Sequence, residues 1–186
     1  MTIPNMITIL RFLLVPAVVY WLLDGEWGLA FAGFLVAGIS DGIDGFIARH
    51  FNQRSQLGAY LDPMADKLLL VSVFVVLGVL GELPLWLVVA AVSRDGLIIC
   101  AVVLSSVMGS PVEMKPLMVS KANTAVQIVL LAVVLADLAF APDLEAARAG
   151  LIILSGLLTV ASAAAYLVAW SRHMSRHGEG GPNAGR

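Results

Sequence analysis

Four aspartates, Asp41, Asp44, Asp62 and Asp66, lie within a chain dominated by apolar residues. Carboxylates in a hydrocarbon environment are costly, so by default they mark a working site. Asp41 and Asp44 are three residues apart and Asp62 and Asp66 four apart, so on a helix each pair projects from one face. Four ionised carboxylates held close together repel and raise one another's pKa unless a cation neutralises them. Oxygen-only ligation without nearby His or Cys favours a hard cation, so Mg²⁺ is expected, with Mn²⁺ as the alternative. Two divalent ions balance four negative charges, and such a pair suits a phosphate or diphosphate group.

The residues between the acids fit the same chemistry. Gly42, Gly45 and Gly58 let a ligand or another helix approach the backbone, although glycines serve plain helix packing equally well. Arg49 carries a planar donor fork suited to phosphate oxygens; its simpler role is that of a charged anchor at a membrane surface. Ser55 is a donor to a phosphate or a base, or else a helix cap.

The elements that must position these groups follow from composition. Among 186 residues, 60% are hydrophobic and 13% charged, with a mean hydropathy of +0.93, a balance outside the range of ordinary soluble domains. The pattern predicts an all-α polytopic membrane protein with six transmembrane helices. Its apolar stretches run roughly 6 to 23, 28 to 50, 59 to 80, 84 to 108, 119 to 141 and 147 to 170, each long enough to span. Arg11 interrupts the first stretch and no small-residue cleavage pattern follows before Trp21, so this is expected to be a retained helix. Cys100 is the single cysteine; it reads as a small hydrophobe in the fourth span, and no disulfide or thiolate metal cluster is expected.

One set of loops holds Asp24, Glu26, Glu82, Asp143, Glu145 and Arg148; the other set, with the tail, holds Arg54, Lys115, Lys121, Arg172 and Arg176, and Arg49 stands at a helix end. By the positive-inside rule both termini and the basic loops face the cytoplasm, or the matrix in an organelle. The second and third spans are joined by a short turn and are expected to be neighbours, so both acidic pairs converge near the inner surface. Asp41 lies about 14 Å in from the helix end near His50, at 1.5 Å per residue. One membrane domain over 1–170 is expected, then a disordered Gly-rich tail over 171–186. His173 and His177 share helical spacing that could seat a metal, but a basic tail end near anionic headgroups is the favoured reading.

The string from Asp41 to Asp66 resembles the complete signature of the CDP-alcohol phosphatidyltransferases, D-x2-D-G-x2-A-R-x8-G-x3-D-x3-D, with Asp41, Asp44, Gly45, Ala48, Arg49, Gly58, Asp62 and Asp66 in register. The resemblance runs from Ile3 to about Trp170. It implies a six-helix enzyme, typically a homodimer, that moves a phosphatidyl group from a CDP-linked lipid such as CDP-diacylglycerol to an alcohol and releases CMP. By that similarity Asp41, Asp44 and Asp62 hold the metals, and Asp66 is both a ligand and the general base. Gly45, Arg49 and Ser55, with Asn5 and the weaker match Thr8 from the first helix, bind CDP-diacylglycerol.

The acceptor is read from elsewhere. Ser93-Arg94-Asp95 sits inside the fourth span, and Lys121 opens the fifth within SKANTAVQ. Arg94, Lys121 and Arg11 are the expected acceptor-binding residues, and a basic lining suits a phosphate-bearing alcohol better than choline, ethanolamine or serine. Arg94 and Asp95 have a simpler alternative, pairing with other charges to hold helices together. The strings IPNMITILRFLLVP, NQRSQLGAYLDPMADK, SRD and SKANTAVQ are most similar to family members whose acceptor is phosphatidylglycerol. Members that use glycerol 3-phosphate more often carry ARE and GKxKTxxQ, which leaves glycerol 3-phosphate as the alternative. A metal or proton transporter is the rival from another class, and it predicts acids spread through the membrane depth rather than gathered at one end. A non-catalytic scaffold would be expected to lose one of the four acids.

Overall fold

In a computed structural model of the protein the chain forms six α-helices and, among the described residues, no strand. The backbone is described for residues 3–51, 56–107, 118–141 and 143–178, and the side chains for 13–40, 67–100, 118–141 and 143–168. The helices are α1 (Ile3–Leu23), α2 (Trp27–Phe51), α3 (Gln56–Val79), α4 (Leu85–Val107), α5 (Met118–Phe140) and α6 (Glu145–Gly178). Five of them coincide closely with the expected apolar stretches. The sixth departs from expectation: the predicted break at Ser171 is absent and α6 continues to Gly178. The run Ser171 to His177 contains no Gly or Pro, so nothing in it stops a helix until Gly178.

Two stretches among the described residues are long and apolar enough to cross a membrane: Met118–Phe140, with a mean hydropathy of 2.0, and Glu145–Val168, with 2.2. Only 33% and 28% of these two windows is buried within the protein. Leu157, Val160, Ile153 and Val129 are instead exposed, as are Val79, Trp86 and Val89 on other helices. Large apolar residues displayed on so many faces are stable against hydrocarbon and a liability against water. The molecule therefore has the make-up of a helical membrane protein.

The core follows from helical periodicity. On α5 the buried positions Asn123, Gln127, Leu130, Leu131, Val134 and Leu135 form one stripe, at the spacing that keeps side chains on one side of a helix. Leu130, Leu131, Val134 and Leu135 pack in a core shared with Val18 and Leu22 of α1, Phe34 of α2, Val73, Phe74 and Leu77 of α3, and Leu87 of α4. In a membrane this packing is driven by close van der Waals contact, and small residues allow it. A Cβ at Gly78 would stand 2.6 Å from Val88 Cγ2, and one at Gly156 would stand 2.7 Å from Trp86 Cη2.

Two tight turns close the same end of the bundle. After α1, Gly25 takes a φ of 79° while Glu26 N–H donates to Trp21 O at 2.8 Å; after α3, Gly81 takes 85° and Glu82 N–H donates to Leu77 O at 2.9 Å. Both are Schellman caps, in which glycine adopts the left-handed backbone without steric cost. The α5–α6 turn is held by side chains. Asp137 accepts from Leu144 N–H at 3.1 Å and from Arg148 Nη1 at 2.9 Å, while Arg148 Nη2 donates to Glu82 O at 2.9 Å and to Glu82 Oε2 at 3.1 Å. Arg148 thus clamps three elements at the end opposite the aspartates.

α1 packs against both α2 and α3, α2 against α5, α5 against α6, and α6 against α4. α2 and α3, expected to be neighbours, are not a closely packed pair among the described residues; instead both line a cavity shared with α4 and α5.

Candidate active site

Helical backbone carries Asp41, Asp44, Gly45 and Arg49 near the C-terminal end of α2, and Asp62 and Asp66 in the N-terminal half of α3. Asn5, Thr8 and Arg11 lie in the first turns of α1. Their side chains fall outside the described residues, as does Ser55 altogether. What the helical state of both segments supplies is the register: at spacings of three and four, each acidic pair shares a helix face. Among the described residues no group of three or more His, Cys, Asp or Glu could hold a metal ion. The four aspartates expected to hold metal have side chains outside the described residues; as a set of carboxylates their donors are all oxygen, the chemistry that suits a hard divalent cation.

Next to these segments opens a cavity of 440 Å³. Its polar lining residues are Lys67, Asp95 and Thr124, and its apolar wall includes Phe34, Leu70 and Ile128. Lys67 immediately follows Asp66 along α3, and the neighbouring Ser40 of α2, whose hydroxyl donates to Val36 O at 2.6 Å, immediately precedes Asp41. Thr124 is close to the start of α5, whereas Ile128 and Ala132 lie deeper along it. The cavity is thus polar towards the acid-bearing end and apolar beyond, the profile of a lipid with a charged head.

Arg94 braces the polar end. Only 3% of its surface is exposed, and burying a guanidinium is tolerable only when its donors are paired. Nε donates to Ser162 Oγ at 3.1 Å, Nη2 to Ser162 Oγ at 2.7 Å and also to Ser120 Oγ, and Nη1 to Asp95 Oδ1 at 2.5 Å. The Tyr166 ring lies 5.8 Å from Cζ, within cation–π range. The second oxygen of Asp95 meets Lys67 Nζ at 2.8 Å. One continuous chain of charge and hydroxyl therefore joins α3, α4, α5 and α6. Deeper between α5 and α6, Thr159 Oγ1 donates to Asn123 Oδ1 at 3.0 Å, and Gln127 Nε2 to Thr159 Oγ1 at 3.5 Å.

Of the residues expected at the acceptor, Arg94 is buried with its nitrogens turned to protein partners, and Lys121 is exposed on the first turn of α5. Ser120 joins Arg94 from the SKANTAVQ segment singled out in the sequence. Lys67, Ser162 and Tyr166 were not anticipated. Lys67 had a signal, as the residue directly after the last acid of the signature; Ser162 and Tyr166, small or amphipathic residues in an apolar span, had none.

Six helices, exposed apolar flanks and acid-bearing helix ends beside an amphiphilic cavity define an all-helical membrane protein with a polar site at one end of its bundle. The chain belongs to the CDP-alcohol phosphatidyltransferase family, whose model matches residues 1–170, a family that generally depends on divalent metal. It is similar to the human protein named cardiolipin synthase (CMP-forming), with 38% identity over 151 residues, 73% of this chain and 50% of the human protein. A putative cardiolipin synthase of Mycobacterium tuberculosis is 45% identical over 101 residues, 53% of this chain and 47% of that protein. A probable cardiolipin synthase (CMP-forming) of Drosophila melanogaster is 35% identical over 193 residues, 95% of this chain and 58% of that protein. The chain spans about half the length of the curated relatives it matches.

Proposed function

We propose that this protein transfers the phosphatidyl group of CDP-diacylglycerol to phosphatidylglycerol, giving cardiolipin and CMP. The observation that carries this reading is the unbroken acidic signature from Asp41 to Asp66 on α2 and α3, beside a cavity with a charged mouth and an apolar body. Similarity to proteins named cardiolipin synthase supports the choice of acceptor.

Asp41, Asp44, Asp62 and Asp66 hold two divalent cations, Mg²⁺ or alternatively Mn²⁺. When bound, these supply Lewis-acid stabilisation of the diphosphate and of the departing CMP. Asn5, Thr8, Gly45, Arg49 and Ser55 hold the CDP-diacylglycerol. Asp66 takes the proton from a glycerol hydroxyl, since an alcohol is far too weak an acid to attack unaided at neutral pH. The hydroxyl oxygen bonds to the diacylglycerol-linked phosphorus as the phosphorus–oxygen bond to CMP breaks. Lys121 and Arg11 attract the anionic acceptor, and Arg94 shapes its site from beneath through Asp95. Fixing both lipids at one membrane depth supplies the proximity a two-substrate transfer needs.

The same reading takes all six helices of the 1–170 domain as transmembrane, with both termini and the active site on the cytoplasmic or matrix side of a bacterial or organellar inner membrane, in a homodimer. Purified protein given labelled CDP-diacylglycerol with one acceptor at a time tests it. Cardiolipin and CMP from phosphatidylglycerol are expected. Product from glycerol 3-phosphate alone would instead make the protein a phosphatidylglycerophosphate synthase.

A further inference from the structure

We propose that Lys67 is a specificity-determining residue for the acceptor, its ammonium binding the phosphate ester of the incoming lipid at the mouth of the cavity. This rests on the phosphatidyltransferase reading above and adds to it a residue and a ligand group.

The argument begins with charge. Asp95 has one oxygen on Arg94 Nη1 and the other on Lys67 Nζ, at 2.5 and 2.8 Å. Two cations therefore share one carboxylate, and the trio carries a net positive charge. Arg94 cannot present that charge to a ligand, because it is buried and its nitrogens point to Ser162, Ser120 and Asp95. Lys67 can: its side chain is 49% exposed, against 14% for Asp95, and it lines the cavity. An ammonium has three donors, and Asp95 takes one.

Position completes the case. A lysine serving only as a surface anchor would range freely through solvent. Lys67 is instead pinned by Asp95, which Arg94 holds to α5 and α6, so its ammonium is preorganised where the polar mouth meets the apolar wall of Leu70 and Ile128. A lipid entering this cavity must put its chain against that wall and its phosphate beside Lys67. Lys67 also follows the proposed base Asp66 by one residue, and an acceptor lipid carries its reactive hydroxyl and its phosphate on the same glycerol headgroup.

The test uses the full-length protein in mixed micelles, with Lys67→Gln, Lys67→Arg and Asp95→Asn. Phosphatidylglycerol and glycerol 3-phosphate are varied separately against fixed CDP-diacylglycerol, then the reverse, and thermal unfolding follows each variant. Loss of one charged contact predicts a rise of about ten- to a hundredfold in the KM for phosphatidylglycerol in Lys67→Gln. The KM for CDP-diacylglycerol should hold within twofold, and Lys67→Arg should recover most of the loss. Asp95→Asn, which frees the ammonium, should raise the acceptor KM by a smaller factor. An unchanged acceptor KM in Lys67→Gln overturns the proposal, as do equal rises for both substrates or an effect confined to glycerol 3-phosphate. Should the wild-type protein release no CMP with any acceptor, the underlying activity fails instead. Binding of phosphatidylglycerol to the detergent-solubilised protein then judges Lys67 separately: weaker binding by Lys67→Gln than by the wild type, with phosphatidylcholine binding unchanged, supports its role, and binding equal to the wild type removes it.

Discussion

Arg94 and Ser162 are 68 residues apart, yet two guanidinium nitrogens converge on the one hydroxyl, Nη2 at 2.7 Å and Nε at 3.1 Å. A single oxygen on α6 thereby fixes the plane of the guanidinium on α4 and aims Nη1 at Asp95. Replacing Arg94 with Met leaves Asp95 with Lys67 as its one cation and strips the Ser120 and Ser162 hydroxyls of their donor, a loss below the roughly 3–5 kcal/mol of a buried charge left wholly unpaired. Arg94→Lys should rescue poorly, because an ammonium cannot donate in a fork. Ser162→Ala should cost only about 1 kcal/mol. Unfolding of the three variants in detergent would check the order: Arg94→Met worst, Ser162→Ala mildest.

Asp66→Asn keeps the shape of the side chain while removing its basicity. If Asp66 accepts the acceptor's proton, turnover should fall by about 10²–10⁴-fold, the usual contribution of a positioned base. Binding of a CDP-linked nucleotide should be partly retained. Turnover near that of the wild type would remove Asp66 from that role.

Chelation tests the acidic donor set as a whole. Exhaustive treatment with EDTA should abolish CMP release, and Mg²⁺ or Mn²⁺ should restore it. Calorimetric titration of metal into the chelated protein should give a stoichiometry of two, and Asp41→Asn should lower it. Binding of soft metals in preference to Mg²⁺ would contradict an all-oxygen site.

Two glycine substitutions should have opposite effects. Gly78→Ala places a methyl 2.6 Å from Val88 Cγ2, and such overpacking costs about 1–3 kcal/mol. Gly150→Ala on α6 meets nothing within 4 Å and should gain about 0.5–1 kcal/mol from helix propensity. Melting temperatures measured side by side would show the first falling and the second rising.

The number of helices and five of their extents could be read from hydropathy, because a hydrocarbon layer imposes a minimum apolar length and polar breaks mark the turns. The acidic register could be read as well, since three and four are the spacings of one helix face. Partnerships across the bundle could not. Periodicity says which side of a helix is apolar but not which helix it meets, so Arg94 was noticed and Ser162 was not. Arg148 was counted among loop charges, and nothing in the sequence pointed to its partner Asp137. Lys67 was not singled out, and only Asp95 and the cavity give it a fixed place. The helical extension past Ser171 was obscured by a polar composition that resembles coil but contains no residue to break a helix.

At 1.5 Å per residue, the 34 residues of α6 measure about 51 Å, while the hydrocarbon layer is about 30 Å thick. Roughly 20 Å of that helix exceeds the hydrocarbon layer, enough to cross the headgroup region on one side and emerge beyond it. Arg172 and Arg176 ride on this surplus. The last helix thus carries its final turns out of the hydrocarbon, and a probe attached on those turns would report the protein's orientation as a mast reports the tilt of a hull.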